Sequence, residues 1–113
     1  MGAEALKGHL DLLLLAIVSE KPSHGYAVIE ELRRRSDEAF DLPEGTVYPA
    51  LHRLERAGLL TSSWSTVGGR RRRVYRISPK GGRALDRRRS EWNEFASAVQ
   101  RVVRGGVLWP KHA

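Results

Sequence analysis

The chain has 113 residues, of which 41% are hydrophobic, and it contains no cysteine. This length suits one compact domain, and the lack of cysteine excludes disulfides, thiolate metal sites and a cysteine nucleophile. The longest apolar run, residues 12–18, is far shorter than the roughly 20 residues of a membrane helix, and no small-residue cleavage site follows it. We therefore expect a cytoplasmic protein.

The net charge of +7 is concentrated in the second half of the chain. Residues 1–60 carry 7 Lys/Arg and 10 Asp/Glu, whereas residues 61–113 carry 13 Lys/Arg and 3 Asp/Glu. Ten of those 13 basic residues lie between Arg70 and Arg89. Such a segment predicts a polyanionic partner, either nucleic acid or an anionic membrane surface, and charge alone does not choose between them.

The first 36 residues predict two helices. Apolar residues recur at intervals of three and four between residues 6 and 19, which is typical of an amphipathic helix: Leu10, Leu13, Leu14, Ile17 and Val18. Pro22 ends this helix, and Ser23 is expected to cap a second helix over residues 25–36.

A third helix is predicted over roughly residues 44–57, because Val47, Leu51 and Leu54 follow helical spacing. Gly58 suits the position just after its end. Pro49 fits if the regular helix starts near Thr46. Proline would then lie in the first turn, where backbone N–H groups have no intrahelical acceptor, so its lack of an N–H would cost nothing.

After Gly58 the pattern changes to alternation. It predicts two strands over residues 60–65 and 72–78, joined by a glycine-rich turn over residues 66–70. Ser78 as N-cap and Pro79 as first residue open a final helix that ends near Arg104. This order predicts a mainly α fold with a small β-hairpin. Its parts are a winged helix-turn-helix domain over residues 1–78, a C-terminal dimerisation helix over 79–104 and a tail over 105–113.

Three stretches between Leu10 and Gly82 resemble the PadR family of bacterial transcriptional regulators. They are HGY at residues 24–26, GTVYPALHRLERAG at 45–58 and RVYRISPKG at 73–81. The short chain with one C-terminal helix is similar to the small PadR subfamily. The resemblance implies a dimeric winged-helix repressor that binds double-stranded DNA at a palindromic operator, with no membrane partner and with the last helix supplying most of the dimer contact.

The third helix has the composition of a DNA recognition helix. With its aliphatic side chains in the core, it presents Thr46, Tyr48, Pro49, His52 and Arg53 near its leading end or on its other face. Recognition helices present their N-terminal residues to base edges, so we expect these residues at the DNA, with Arg53 on a phosphate or a guanine. The alternative for Arg53 is ordinary pairing on the protein surface.

Two tyrosines, one in the second helix and one in the third, are further candidates for DNA contact. The family resemblance places Tyr26 and Tyr48 at or beside the DNA-facing surface, where a hydroxyl group can reach a phosphate. The alternative is core packing, which is the usual role of an aromatic residue on an amphipathic helix.

The predicted hairpin tip carries four consecutive arginines. Alternation sends Arg70 and Arg72 to one face of the strand and Arg71 and Arg73 to the other. We expect them to contact the DNA backbone or minor groove, with Lys80 extending the same patch. The alternative is a solvated run of charge.

The final helix carries an apolar stripe close to a heptad pattern. We expect this stripe to form a homodimer interface together with part of the first helix, and the alternative is that it folds back on its own domain. The predicted interface residues are Leu6, Leu10, Leu85, Trp92, Phe95, Val99, Val102 and Val103.

The resemblance also implies an effector site on this helix. Small members of the family use a tryptophan there to stack planar, often cationic drugs between protomers. Trp92 is the matching residue, with Phe95 and Val99 as neighbours. The alternative is that Trp92 only packs the interface, as buried tryptophans usually do.

Catalytic signatures are missing from the sequence. It has no Gly-x-Ser-x-Gly motif and no phosphate-binding loop, and its four histidines are scattered. We therefore expect a non-enzyme without metal or cofactor: a dimeric, sequence-specific transcriptional regulator, by default a repressor released by a small molecule. The alternatives are a sequence-indifferent nucleic-acid-binding protein and a winged-helix protein-interaction module.

Overall fold

A computed structural model describes Leu6 and residues 8–105, which form four helices and three strands. In chain order these are α1 (Leu10–Glu20), β1 (Ser23–His24), α2 (Gly25–Arg35), α3 (Glu44–Arg56), β2 (Leu60–Val67), β3 (Arg70–Ile77) and α4 (Pro79–Arg104). The strands form one antiparallel sheet in the order β1-β3-β2. The predicted fold class, a winged helix-turn-helix followed by a long helix, is confirmed. No helix in this part of the chain is both long and apolar enough to cross a bilayer.

The core lies where the first three helices meet the base of the sheet. Leu14 and Leu15 are both completely buried although they are neighbours in α1, so this helix is covered on two sides. Val47 and Leu51 bring α3 onto it, and Tyr75 of β3 is 1% exposed. Burying an aliphatic side chain of this size contributes about 1.5–3 kcal/mol. The core therefore fixes α3 and the sheet relative to each other.

The start of α1 and the cap of α2 differ from the prediction. Helix α1 begins at Leu10 rather than residue 6, because Gly8 has a φ of +86°, outside the helical region. Ser23 is not the cap of α2, since it pairs with Tyr75 in the sheet and its hydroxyl donates to the Lys21 carbonyl. His24 takes that role: its Nδ1 accepts the Ala27 N–H at 3.2 Å.

Helix α3 starts at the beginning of its predicted range of 44–57, and not near Thr46 as the position of Pro49 had suggested. Its first residue is Glu44, so Pro49 lies in the second turn, where its missing N–H costs one bond to the Gly45 carbonyl. The predicted end is confirmed. Gly58 has a φ of +79°, and the Gly58 and Leu59 N–H groups donate to the Glu55 and Leu54 carbonyls. This is a Schellman motif.

The wing, formed by β2 and β3, is longer than predicted. Gly68 and Gly69 have φ values of +60° and +76°, the conformation that a two-residue turn between twisted strands requires. The ladder therefore extends to the pair Val67 and Arg70. The five-residue turn predicted over residues 66–70 was wrong because two glycines suffice to reverse the chain.

Helix α4 begins and ends at the predicted residues. The Ser78 hydroxyl accepts the Gly81 N–H at 3.0 Å, and Gly105 follows the last turn with a φ of +74°. Its buried residues, Gly81, Ala84 and Leu85, all lie in the first two turns, and Trp92 still contacts His9 two turns further along. Beyond that contact the helix projects, which gives the described chain a longest extent of 63 Å.

Candidate nucleic-acid interface

A cleft of about 310 Å³ lies between α3 and the wing. It brings together residues from four elements whose side chains are basic or aromatic: His24, Tyr48, His52, Trp64, Tyr75 and the arginines 71–73. Five of the predicted DNA-binding residues are in this set, namely Tyr48, His52, Arg71, Arg72 and Arg73. The cleft is therefore cationic and offers flat surfaces, as contacts with phosphates, sugars and bases require.

Tyr48 is positioned by the close approach of α2 to α3. A Cβ atom added to Gly25 would lie 2.3 Å from Cε1 of the Tyr48 ring. Glycine therefore lets the half-buried ring lie close to the start of α2, and the ring also packs against the core cluster. Packing by the ring and exposure at the cleft occur together, so the two sequence-based alternatives for Tyr48 are compatible.

The wing arginines differ in their surroundings. The Arg71 guanidinium lies 5.0 Å from the centre of the Trp64 ring, and that of Arg73 lies 5.7 Å from it. Arg70 is exposed at the turn. Arg72 is half-buried, and its charge acts on His24.

Two predicted DNA-binding residues outside the cleft are engaged within the protein. Arg53 pairs with Asp11 of α1, and Asp11 also lies 3.9 Å from Arg88 of α4. Lys80 donates to the Ala57 carbonyl at 3.0 Å, where it caps the C-terminal end of α3. Neither residue lines the cleft, and their DNA contacts stay predictions.

The remaining predicted DNA-binding residues, at the starts of α2 and α3, do not line the cleft. Tyr26 is 49% exposed in the first turn of α2. Thr46 is half-buried in the first turn of α3, and Pro49 is exposed one turn later. Contact of these three residues with DNA stays a prediction.

Trp64 and His24 also line the cleft, although the sequence predicted a DNA contact for neither of them. Trp64 is 55% exposed and stands opposite Arg73 in the ladder, so its large apolar ring is kept at the surface by the wing register. The signal that could have indicated it is a lone tryptophan among serines in a strand predicted to pair with an arginine-rich strand.

The pKa of His24 is lowered from its usual 6.5, first by burial and then by the charge of Arg72. The neutral ring therefore persists at pH 7, which the helix cap needs, because only an unprotonated Nδ1 can accept the Ala27 N–H.

Acidification is expected to destabilise the protein through this histidine. Below pH 6.5 the unfolded chain protonates His24 before the folded chain does, so the free energy of unfolding falls as pH drops through the lowered pKa. His24→Asn keeps a capping acceptor that does not titrate. Chemical denaturation from pH 7.5 to 5 should show a shallower loss of stability in this variant. Parallel pH profiles for the two proteins would contradict the assignment.

A second, smaller pocket lies where α4 leaves the body. Its volume is about 180 Å³, and it is lined by Gly8, His9, Leu12, Arg88, Glu91, Trp92 and Phe95. The His9 ring meets the Trp92 ring edge-on at 5.1 Å, and Phe95 lies 6.1 Å from Trp92. Two of the three predicted effector residues thus line one pocket, and Val99 does not. No group of three or more His, Asp or Glu able to hold a metal occurs in the described residues.

The predicted dimer residues fall into two groups. Leu6 and Leu85 are 5% and 4% exposed and belong to the chain's own core, and Leu10 packs against that core. The others are exposed large apolar side chains on α4: Trp92, Phe95, Val99, Val102 and Val103. We call these five residues the α4 stripe.

Comparison with known proteins agrees with this architecture. Residues 14–87 match the PadR-like family of transcriptional regulators. The chain is 41% identical over 88 residues to the transcriptional regulator Rv3488 of Mycobacterium tuberculosis, covering 78% of this chain and 79% of that protein.

Solved structures with the same fold include two PadR-type regulators. One, from Clostridium difficile, is 33% identical with a TM-score of 0.74 and covers 87% of this chain and 100% of its own. Another, from Bacillus cereus, is 26% identical with a TM-score of 0.81 and covers 92% of this chain and 100% of its own. The family match, the 41% identical relative and the shared winged-helix fold show that this chain belongs to the PadR-like family of DNA-binding transcriptional regulators.

Proposed function

We propose that the protein is a homodimeric repressor that binds a palindromic operator through two copies of the cleft between α3 and the wing. The α4 stripe is the observation that carries this proposal. Its side chains range from 40% to 81% exposed on the part of α4 that leaves the body. A contiguous apolar surface of this kind marks an interaction site, and a two-fold axis lets one stripe cover another.

Each protomer offers one recognition helix flanked by one wing. In the proposed complex, the start of α3 lies in the major groove, and the wing arginines lie on the adjacent backbone or minor groove. A dimer joined along α4 presents two such units to successive half-sites. Binding over a promoter blocks the polymerase, which makes repression the expected outcome in the cytoplasm, where the DNA lies.

Footprinting on genomic fragments tests this function against its alternatives. We expect the protein to protect one palindromic site, with its own upstream region included among the fragments. A sequence-indifferent binder would protect all fragments equally, and a protein-interaction module would protect none. Either of these results would contradict the proposal.

We further propose that a planar aromatic molecule binds at Trp92 and releases the operator. The pocket of about 180 Å³ is smaller than the roughly 300 Å³ at which ligand sites begin, so one protomer supplies only part of a site. Trp92 lies on the α4 stripe, and a second protomer would supply the remaining wall. A ligand at this site lowers operator affinity only if it binds the DNA-free arrangement of the dimer more tightly than the DNA-bound arrangement.

Trp92→Ala is expected to abolish saturable quenching of tryptophan fluorescence by planar aromatic compounds, while the protein stays dimeric. The indole supplies the stacking surface, and it is 41% exposed in the lone chain. Fluorescence titration measures this, with dimer mass determined for both proteins. Trp64→Phe serves as the control and should keep the saturable signal. Quenching that survives Trp92→Ala, or a monomeric variant, would contradict the effector site.

A further inference from the structure

The wing presents two differently held arginines to the cleft. Antiparallel pairing places Trp64 opposite Arg73 and Thr66 opposite Arg71, so Trp64, Arg71 and Arg73 lie on one face of the wing. This is the face that α3 approaches, because Glu55 of α3 reaches Ser62 of β2. Arg71 and Arg73 therefore share this face, with Arg71 nearer to the wing tip.

Arg73 is held in a bridge between the wing and α3. Its Nε donates to the Ser62 hydroxyl at 2.8 Å, and its Nη2 donates to Glu55 Oε2 at 3.4 Å. The Ser62 hydroxyl in turn donates to the same Glu55 oxygen at 2.5 Å. We call Glu55, Ser62 and Arg73 the wing bridge. Its three hydrogen bonds form a ring that joins α3 to the wing, the two parts of the protein that contact DNA in the proposed complex.

The charges in this bridge are matched. Glu55 is the carboxylate of the bridge, and its pKa is lowered by the Ser62 hydroxyl and by Arg73, so it is ionised at neutral pH. Its side chain is 27% exposed, which leaves the pair partly shielded from solvent. A phosphate that recruited Arg73 would have to displace Glu55 and leave its carboxylate uncompensated beside the DNA.

Arg71 is held differently. It makes no ion pair with any described residue, and its contact is the face of the Trp64 ring at 5.0 Å. Stacking on an aromatic face restricts the guanidinium plane but uses none of its N–H groups. All five donors stay available to a phosphate, and the side chain is already ordered over an indole that is 55% exposed.

We propose that the arginine run has two functions: Arg73, held by Glu55 and Ser62, sets the position of the wing relative to the recognition helix, whereas Arg71, ordered on Trp64, binds the DNA backbone. Arg73 and Glu55 are then positioning residues, and Trp64 is the platform of a phosphate contact. This inference rests on the proposed DNA-binding function and assigns separate tasks within it.

The two functions separate in the salt dependence of DNA binding. Arg71→Gln should reduce the slope of log affinity against log salt by about one unit per protomer, because one phosphate contact is lost. Arg73→Gln removes the same charge from the same wing face and should leave the slope unchanged. Equal losses of slope in both variants, or a loss only in Arg73→Gln, would overturn the proposal.

Positioning has its own readout, the ratio of affinity for a selected operator to affinity for random duplex of equal length. Arg73→Gln and Glu55→Gln should each lower this ratio by roughly three- to tenfold, and the double variant should do no worse than either single one. Arg73→Lys keeps the charge but not the forked geometry, so it should not restore the ratio. Full restoration by lysine, or additive losses, would overturn the bridge.

Trp64→Ala tests the platform. It leaves the charge of Arg71 in place, so the salt slope should persist while affinity falls by about two- to fivefold, the size of one exposed cation–π contact. Unchanged affinity would overturn the role of Trp64. Slopes are measurable on random DNA as well. If the wild-type protein binds all sequences equally, the proposed regulator is contradicted. The salt slopes of Arg71→Gln and Arg73→Gln on random DNA would still decide whether the two arginines have different functions.

Discussion

Val99→Glu combined with Val103→Glu is expected to convert the protein to monomers and to reduce operator affinity by about 10²- to 10⁴-fold, the advantage that linked binding sites normally provide. Both side chains belong to the α4 stripe and are 40% and 81% exposed in the lone chain. In a two-fold dimer the change would place four carboxylates in an apolar seam, where charge without a partner is strongly unfavourable. Sedimentation and operator titration measure the two effects.

The matched control is Asn93→Glu with Ser97→Glu. These residues have the same spacing and gain the same charge, but both are exposed and lie off the stripe on α4. The control should stay dimeric and bind the operator like the wild type. A Val99/Val103 variant that stays dimeric would place the interface elsewhere.

Gly81→Ala is expected to lower the free energy of unfolding by about 1–3 kcal/mol, as overpacking of a close contact does. A Cβ atom at this position would lie 2.0 Å from the Leu59 carbonyl oxygen and 2.8 Å from Cγ1 of Ile77. Backbone atoms cannot yield as a flexible side chain can, so α4 would have to move away from the base of the wing. Chemical denaturation at equal protein concentration measures the loss.

Gly82→Ala provides the opposite expectation one residue further along the same helix. No atom lies within 4 Å of a Cβ atom added there. Alanine should then stabilise the protein by roughly 0.5–1 kcal/mol, because glycine is a poor helix former. Similar changes in both variants would show that the Leu59 contact does not control the position of α4.

The elements were predictable where one local rule decides the backbone. Gly58 and Gly105 follow helices in conformations that glycine favours, and Ser78 caps α4 as its sequence context indicated. The error at the cap of α2 came from tertiary pairing. Ser23 is drawn into the sheet by Tyr75, which leaves the cap to His24, and sequence alone gives no sign of a strand of two residues.

The residues of the site were largely predictable from the sequence, but the ion pairs that its arginines make within the protein were not. The arginine run and the start of α3 indicated a basic surface, and five of its predicted residues meet at one cleft. The pairing of Arg53 with Asp11 joins residues 42 positions apart, and that of Arg73 with Glu55 joins residues 18 apart. Such contacts depend on how α1, α3 and the wing pack, which residue spacing does not encode.

The central claim is that two recognition helices, held at a fixed separation by α4, bind one operator together. Inserting about 5 bp, half a helical turn, between the operator half-sites tests it most directly, because the insertion turns the second half-site to the opposite side of the duplex. A control operator has the same central base pairs substituted without a change of length. We expect the insertion to abolish tight binding and the control to keep it. Unchanged affinity after the insertion would contradict the dimeric arrangement.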